Sequence, residues 1–217
     1  TRWPEGRFYA WDRLFDSRTL DYRGPEFGYW RIPDQYTVAK VETDEPGHGG
    51  DPAASRPPRF LFFATISSHI PFRPLPPFQP QWSRLLGPEP FDPALVADSL
   101  AKQPDWLNLQ QPYIESIRYS FAWLADLVDR SRPGGATLLV LGDHQPAASV
   151  IGQNAAWDVP VHLISSDPTL IARARRLGFQ DGLAPAAPAQ GLEMHELTRI
   201  LIDVLSGPTS DARQRQP

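Results

Sequence analysis

The run Ala136-Thr137-Leu138-Leu139-Val140-Leu141-Gly142-Asp143-His144-Gln145-Pro146 constrains this chain more than any other stretch. Its apolar part is too short for a helix and rich in leucine and valine, which reads as a strand buried on both faces. Gly142 permits a tight turn or a close backbone approach just past the strand end. A carboxylate and an imidazole follow at once. Open α/β sheets bind their ligands outside the carboxyl ends of the strands. Asp143 and His144 therefore fall where such folds do chemistry, and both are metal-ligand types.

Two more runs extend the pattern. Arg59-Phe60-Leu61-Phe62-Phe63-Ala64-Thr65-Ile66 is continuously apolar, as expected of a central parallel strand. It ends in Ser67-Ser68-His69-Ile70-Pro71-Phe72, which puts a second histidine at a strand end. Val159-Pro160-Val161-His162-Leu163-Ile164-Ser165 reads as a third strand, with Pro160 placing it at an edge or just at its start. Helical signals lie between and after these runs. Pro33 suits the first position of a helix over 33–41, and Asp92-Pro93 opens another to about residue 102. The best helix runs over 112–130, where Ile114, Ile117, Phe121, Leu124 and Val128 form one apolar stripe. Asp167-Pro168 opens a helix to about residue 177. A last amphipathic helix falls within 190–205, with Leu197, Ile200, Leu201, Val204 and Leu205 on one face. This alternation predicts an α/β fold with a mostly parallel central sheet flanked by helices.

The remaining segments read as connections. Residues 1–32 are aromatic and irregular, with a short helical turn expected near 12–15. Residues 43–58 are a surface loop around His48, and 208–217 form a polar, disordered tail. The 25 prolines are concentrated in such loops, which suggests long ordered connections over a rigid scaffold.

Composition sets the outer limits. A chain of 217 residues is long enough for one α/β domain with a real core, or most of one. Hydrophobic residues make up 41% and charged residues 21%, the balance of a globular chain. The net charge of -4 gives no electrostatic reason to expect nucleic acid. The chain has no cysteine, so a metal would be held by His, Asp, Glu or hydroxyl groups, and either the cytoplasm or an exported setting fits. No apolar stretch approaches the roughly 20 residues that span a bilayer, and no signal peptide is visible at Thr1.

Two readings stand for Asp143-His144. One is a divalent ion held by carboxylate and imidazole at a strand end; the other is a turn-capping Asp beside a backbone-bonded histidine. His69 is alone in its segment, yet two histidines from two strand ends form a better site signal than either alone. His162 reads as a core or sheet-face residue, His195 as a surface or cap residue, and His48 as a solvated loop residue. Ser67, Ser68 and Ser116 have no base partner in sequence, and G-x-S-x-G, P-loop and G-x-G-x-x-G patterns are absent.

Several segments together resemble one family. Ser67-Ser68-His69-Ile70-Pro71-Phe72 resembles the S-H-x-P-F segment of the sulfatase-like branch of the alkaline phosphatase superfamily. Pro112-Tyr113-Ile114-Glu115-Ser116-Ile117-Arg118-Tyr119 resembles the helix before that family's last metal strand, with Ser120 where relatives often carry an acidic residue. Leu139-Val140-Leu141-Gly142-Asp143-His144 resembles its G-D-H metal motif. Trp11-Asp12 and the segment from Phe27 to Asp34 fit the region before the core strand in lipoteichoic acid synthases and phosphoethanolamine transferases. The match covers most of residues 8–165.

The resemblance implies an alkaline phosphatase-like fold, incomplete at its N-terminus, with residues 1–207 as the carboxyl-terminal two-thirds of a sulfatase-like catalytic domain. Asp143 and His144 would ligate one divalent metal ion. Zinc or manganese is favoured over calcium, because an Asp-Asn pair would suit calcium better. His69 would contact the phosphate or sulfate group. The implied enzyme is a hydrolase or transferase acting on a small-molecule or lipid-headgroup ester. In this family a threonine or formylglycine attacks the ester, and that residue is expected upstream of this chain. Thr1, with no preceding strand and no acidic partner, is not assigned to the role, so the chain alone is expected to be inactive. The implied location is extracytoplasmic, in the periplasm or at the outer face of the membrane, anchored by an upstream transmembrane region. The alternative is a non-catalytic remnant or binding module of the same fold.

Overall fold

The computed structural model describes residues 8–28, 31–44, 59–131, 136–184 and 191–206. It divides into two compact units, Thr1–Asp126 and Leu127–Pro217, with the boundary inside the longest helix.

In the first unit the chain enters irregularly and buries Leu20 and Phe27. Besides a turn at 8–10, the early turn lies at 17–19, not near 12–15 as expected. Asp16 makes it there, because its side chain accepts from the backbone N–H of Arg18 at 2.9 Å. Helix α1 (Asp34–Asp44) buries Tyr36, Val38, Ala39 and Val41. The Pro33 carbonyl accepts from the Thr37 N–H at 3.0 Å, so the proline stands one position before the helix. Short α2 (Trp82–Leu85) buries Trp82 and Leu85. Helix α3 (Pro93–Ala101) starts as its sequence indicates: the Asp92 side chain accepts from the Ala94 N–H at 2.7 Å and proline fills the first turn.

Between α1 and α2 the chain carries Pro71, Pro74, Pro76, Pro77 and Pro80, none of which has an N–H to donate. Side chains supply the missing fastenings. The buried Gln35 amide donates to the Gln79 carbonyl at 2.7 Å and accepts from the Gln79 N–H at 3.0 Å. Gln79 in turn donates to the Pro90 carbonyl at 2.6 Å. The Ser99 hydroxyl on α3 donates to the Leu75 carbonyl.

Helix α4 (Gln110–Ser131) forms where the apolar period predicts a helix, but with a different inward face. Pro112, Ser116, Tyr119, Ser120 and Trp123 are buried, while Ile114 and Phe121 of the expected stripe are 38% and 40% exposed. Small serines and large aromatics thus make up the inward face. The Ser116 and Ser120 hydroxyls donate back to the Tyr113 and Ser116 carbonyls, at 2.7 and 3.0 Å, so neither needs an outside partner.

The expected mostly parallel central sheet is not there. Among the described residues the only sheet has two antiparallel strands, β1 (Thr137–Leu141) and β2 (Val161–Ser165), both in the second unit. The register pairs Thr137 with Ser165 and Leu141 with Val161. A flanked parallel sheet would bury β1 on both faces, yet its two ends are exposed and its middle only half-buried. β2 begins at Val161, immediately after Pro160, as the missing proline N–H requires. Residues 59–66 have the composition of a buried strand but no strand partner among the described residues. Phe60, Leu61 and Phe62 are 80%, 56% and 63% exposed. A continuous apolar run reports β-propensity, whereas a strand also needs a neighbour to accept its backbone hydrogen bonds.

The second unit is completed by α5 (Ala148–Ile151), α6 (Pro168–Arg176) and α7 (Leu197–Ser206), with a 3₁₀ turn at Met194–Glu196. Asp167 caps α6, accepting from the Thr169 and Leu170 N–H groups at 2.8 and 3.3 Å. Leu170 and Ala174 of α6 and Ile200 and Val204 of α7 form the core, against which Leu163 of β2, Leu177 and Phe179 pack. Expectations for residues 45–58, including His48, and for the tail at 208–217 lie outside the described residues.

Candidate functional site

His69 belongs to the first unit and Asp143 and His144 to the second. Each group is built by local backbone turns held from elsewhere in its own unit.

His69 sits on a turn that follows the 59–66 segment. Its N–H donates to the Ile66 carbonyl at 3.0 Å, and the Phe72 N–H donates to the His69 carbonyl at 3.0 Å. The ring nitrogen Nδ1 lies 2.7 Å from the Ile70 carbonyl oxygen. A carbonyl only accepts, so Nδ1 carries the proton in this bond and the lone pair of the neutral ring falls on Nε2. Phe72 takes a positive φ of 65°, an outlier for a bulky residue. Its buried ring lies edge-on to Tyr113 of α4, with centroids 5.3 Å apart. That contact fixes the downstream side of the turn.

Asp34 fixes the upstream side. Its carboxylate is 1% exposed and accepts from the Ile66 N–H at 2.9 Å and the Ser67 N–H at 2.9 Å. Burial pushes its pKa up, against the hydrogen bonds from the Ser67 hydroxyl and the Ser67 and Ile66 N–H groups, which favour the charged form. A small cavity beside the turn is lined by Gly28, Pro33, Ser67, His69 and Arg73, among others. Arg73 pairs with Glu115 of α4. Burial alone would raise the Glu115 pKa, but the Arg73 hydrogen bond and charge outweigh it and lower the value.

Asp143 and His144 follow β1. Gly142 makes a close approach there: its N–H donates to the Pro160 carbonyl at 3.2 Å, and a Cβ at this position would lie 3.2 Å from the Val159 Cβ. The Asp143 Oδ1 accepts from the His144 N–H at 2.9 Å, and His144 Nδ1 lies 2.8 Å from the Gln145 carbonyl oxygen. These are the bonds of a capped turn with a backbone-bonded histidine. The other donor atoms keep the spacing of a metal pair: His144 Nε2 stands 3.5 Å from Asp143 Oδ2. Ligand bonds of about 2.0–2.2 Å to a tetrahedral zinc put adjacent ligand atoms about 3.3–3.6 Å apart. The carbonyl on Nδ1 is also the usual outer partner of a ligating histidine, since it holds the lone pair on Nε2. No group of three or more His, Asp or Glu residues that could hold a metal occurs among the described residues.

The other titratable candidates lie elsewhere. His162 is half-buried on β2 opposite Val140, and His195 is exposed on the 3₁₀ turn. Asp34 and the Arg73–Glu115 pair have no local sequence signal as site residues. Asp34 reads as a first-turn helix acid, and its partners lie 32 and 33 positions away.

Comparison of the chain with protein-family models, with curated proteins and with solved structures returned no match. Among the described residues no helix is long and apolar enough to cross a membrane.

Proposed function

We propose that this chain carries the metal-holding and oxyanion-contacting residues of a divalent-metal-dependent hydrolase or transferase of phosphate or sulfate esters. The carrying observation is the 3.5 Å separation of Asp143 Oδ2 and His144 Nε2, with His144 Nδ1 at a backbone carbonyl. Both side chains are exposed, so a metal and a substrate oxygen can reach them. In this reading Asp143 and His144 supply two ligands. The imidazole donor favours zinc or manganese over calcium. A bound divalent ion would polarise the ester oxygen and offset the charge that develops on it. Within the first unit, His69 presents its imidazole from a turn fixed on both sides; with Nδ1–H given to the Ile70 carbonyl, a contact with an oxyanion oxygen falls to Nε2, which donates there as the imidazolium. In this reading the enzyme works outside the cytoplasm and is tied to a membrane, as in the family that the motifs resemble.

Isothermal titration of Zn²⁺ and Mn²⁺ into the chain tests the metal pair, with Asp143→Ala and His144→Ala alongside and Ca²⁺ as the contrast. The expected result is saturable Zn²⁺ or Mn²⁺ binding, weakened about tenfold or more in either variant, and no comparable Ca²⁺ binding. Equal binding by all three proteins would remove the metal role from this pair.

A further inference from the structure

We propose that Asp34 is the positioning residue of the His69 turn, setting where the imidazole is presented to an oxyanion; the oxyanion part rests on the function proposed above.

The carboxylate of Asp34 occupies the first turn of α1, where an acid ordinarily serves its own helix. Here both oxygens instead reach a distant segment. Oδ1 and Oδ2 accept from two consecutive backbone N–H groups, those of Ile66 and Ser67. The Ser67 hydroxyl, near the same carboxylate, favours its charged form. A carboxylate buried to this degree is tolerated only where its lone pairs are filled, and the His69 turn fills them. The turn depends on the carboxylate in return. The segment before it has no strand partner among the described residues, so no backbone ladder holds Ile66 and Ser67 in place. The Ile66 carbonyl then accepts from the His69 N–H at 3.0 Å. Asp34, Ile66 and His69 form one chain of bonds from a helix end to the imidazole-bearing residue.

Asparagine has nearly the shape of aspartate but one acceptor oxygen, so in Asp34→Asn an NH₂ group must face one of the two N–H donors. Nuclear magnetic resonance reads the consequence in the whole chain. Three signals are followed: amide exchange at Ile66 and Ser67, the His69 imidazole resonances, and their response to added inorganic phosphate. The expected result in Asp34→Asn is exchange at Ile66 and Ser67 faster by about tenfold or more. The His69 resonances shift and phosphate affinity weakens, while amides of α6 and α7 stay as in the wild type. If Asp34→Asn does not fold, the wild type decides: amides of Ile66 and Ser67 that exchange as fast as unprotected ones overturn the proposal.

Wild-type exchange and wild-type His69 resonances in a folded Asp34→Asn protein overturn it as well. The two readings fail separately. If phosphate leaves His69 of the wild type unperturbed, the oxyanion contact is refuted, and the phosphate-free comparison still decides whether Asp34 positions the turn. If both proteins bind phosphate at His69 equally well, the ester reading stands and the positioning role is refuted.

Discussion

Gln35 and Gln79, 44 positions apart, exchange two hydrogen bonds inside the first unit: the amide of one grips both the N–H and the carbonyl of the other. Helix α1 thereby holds a proline-rich segment that has few backbone donors of its own. Gln35→Leu keeps most of the volume and leaves both Gln79 groups buried without partners. The expected loss is roughly 2–4 kcal/mol, read as a lower urea midpoint by the fluorescence of the buried Trp82 and Trp123. An unchanged midpoint would show that other contacts hold the segment.

The closeness of Gly142 to Val159 makes a second prediction. In Gly142→Ala the new methyl group meets the Val159 Cβ at 3.2 Å. That neighbour is fixed to the backbone at its branch point and cannot swing away. The expected cost is about 1 kcal/mol, with the amide signals of Asp143 and His144 shifted. Wild-type positions for both signals would mean that the strand end yields freely.

Acid should weaken the Arg73–Glu115 tie. The folded pKa of Glu115 is lowered from 4.5. Its contribution is therefore complete above that value and is lost as the pH falls through the lower folded one. Both side chains are partly exposed, so the contribution is about 1 kcal/mol. Unfolding free energies measured between pH 7 and pH 3 should fall less steeply for Glu115→Gln than for the wild type. Parallel curves would assign the acid sensitivity to other carboxylates.

What could be read from the sequence was local. Asp92-Pro93 and Asp167-Pro168 open helices because cap, proline and first N–H groups lie within three residues of one another. The sheet was not legible, since pairing depends on a distant partner. Residues 59–66 and 137–141 share an apolar composition, yet among the described residues only the second run finds a strand partner, and that partner runs antiparallel. The inward face of α4 was misread for a related reason. Hydrophobicity marked Ile114 and Phe121, whereas packing selected Ser116 and Trp123. At the candidate site, Asp143 and His144 were visible as adjacent ligand types. Asp34 was not, because its meaning arises from contacts more than thirty residues away.

The exposed run from Phe60 to Phe62 has a consequence for the chain in bulk solution. It is exposed, uncharged and without a strand partner among the described residues, features that favour pairing with another molecule. Attraction between copies through this stretch would grow with concentration and with salts that strengthen apolar association.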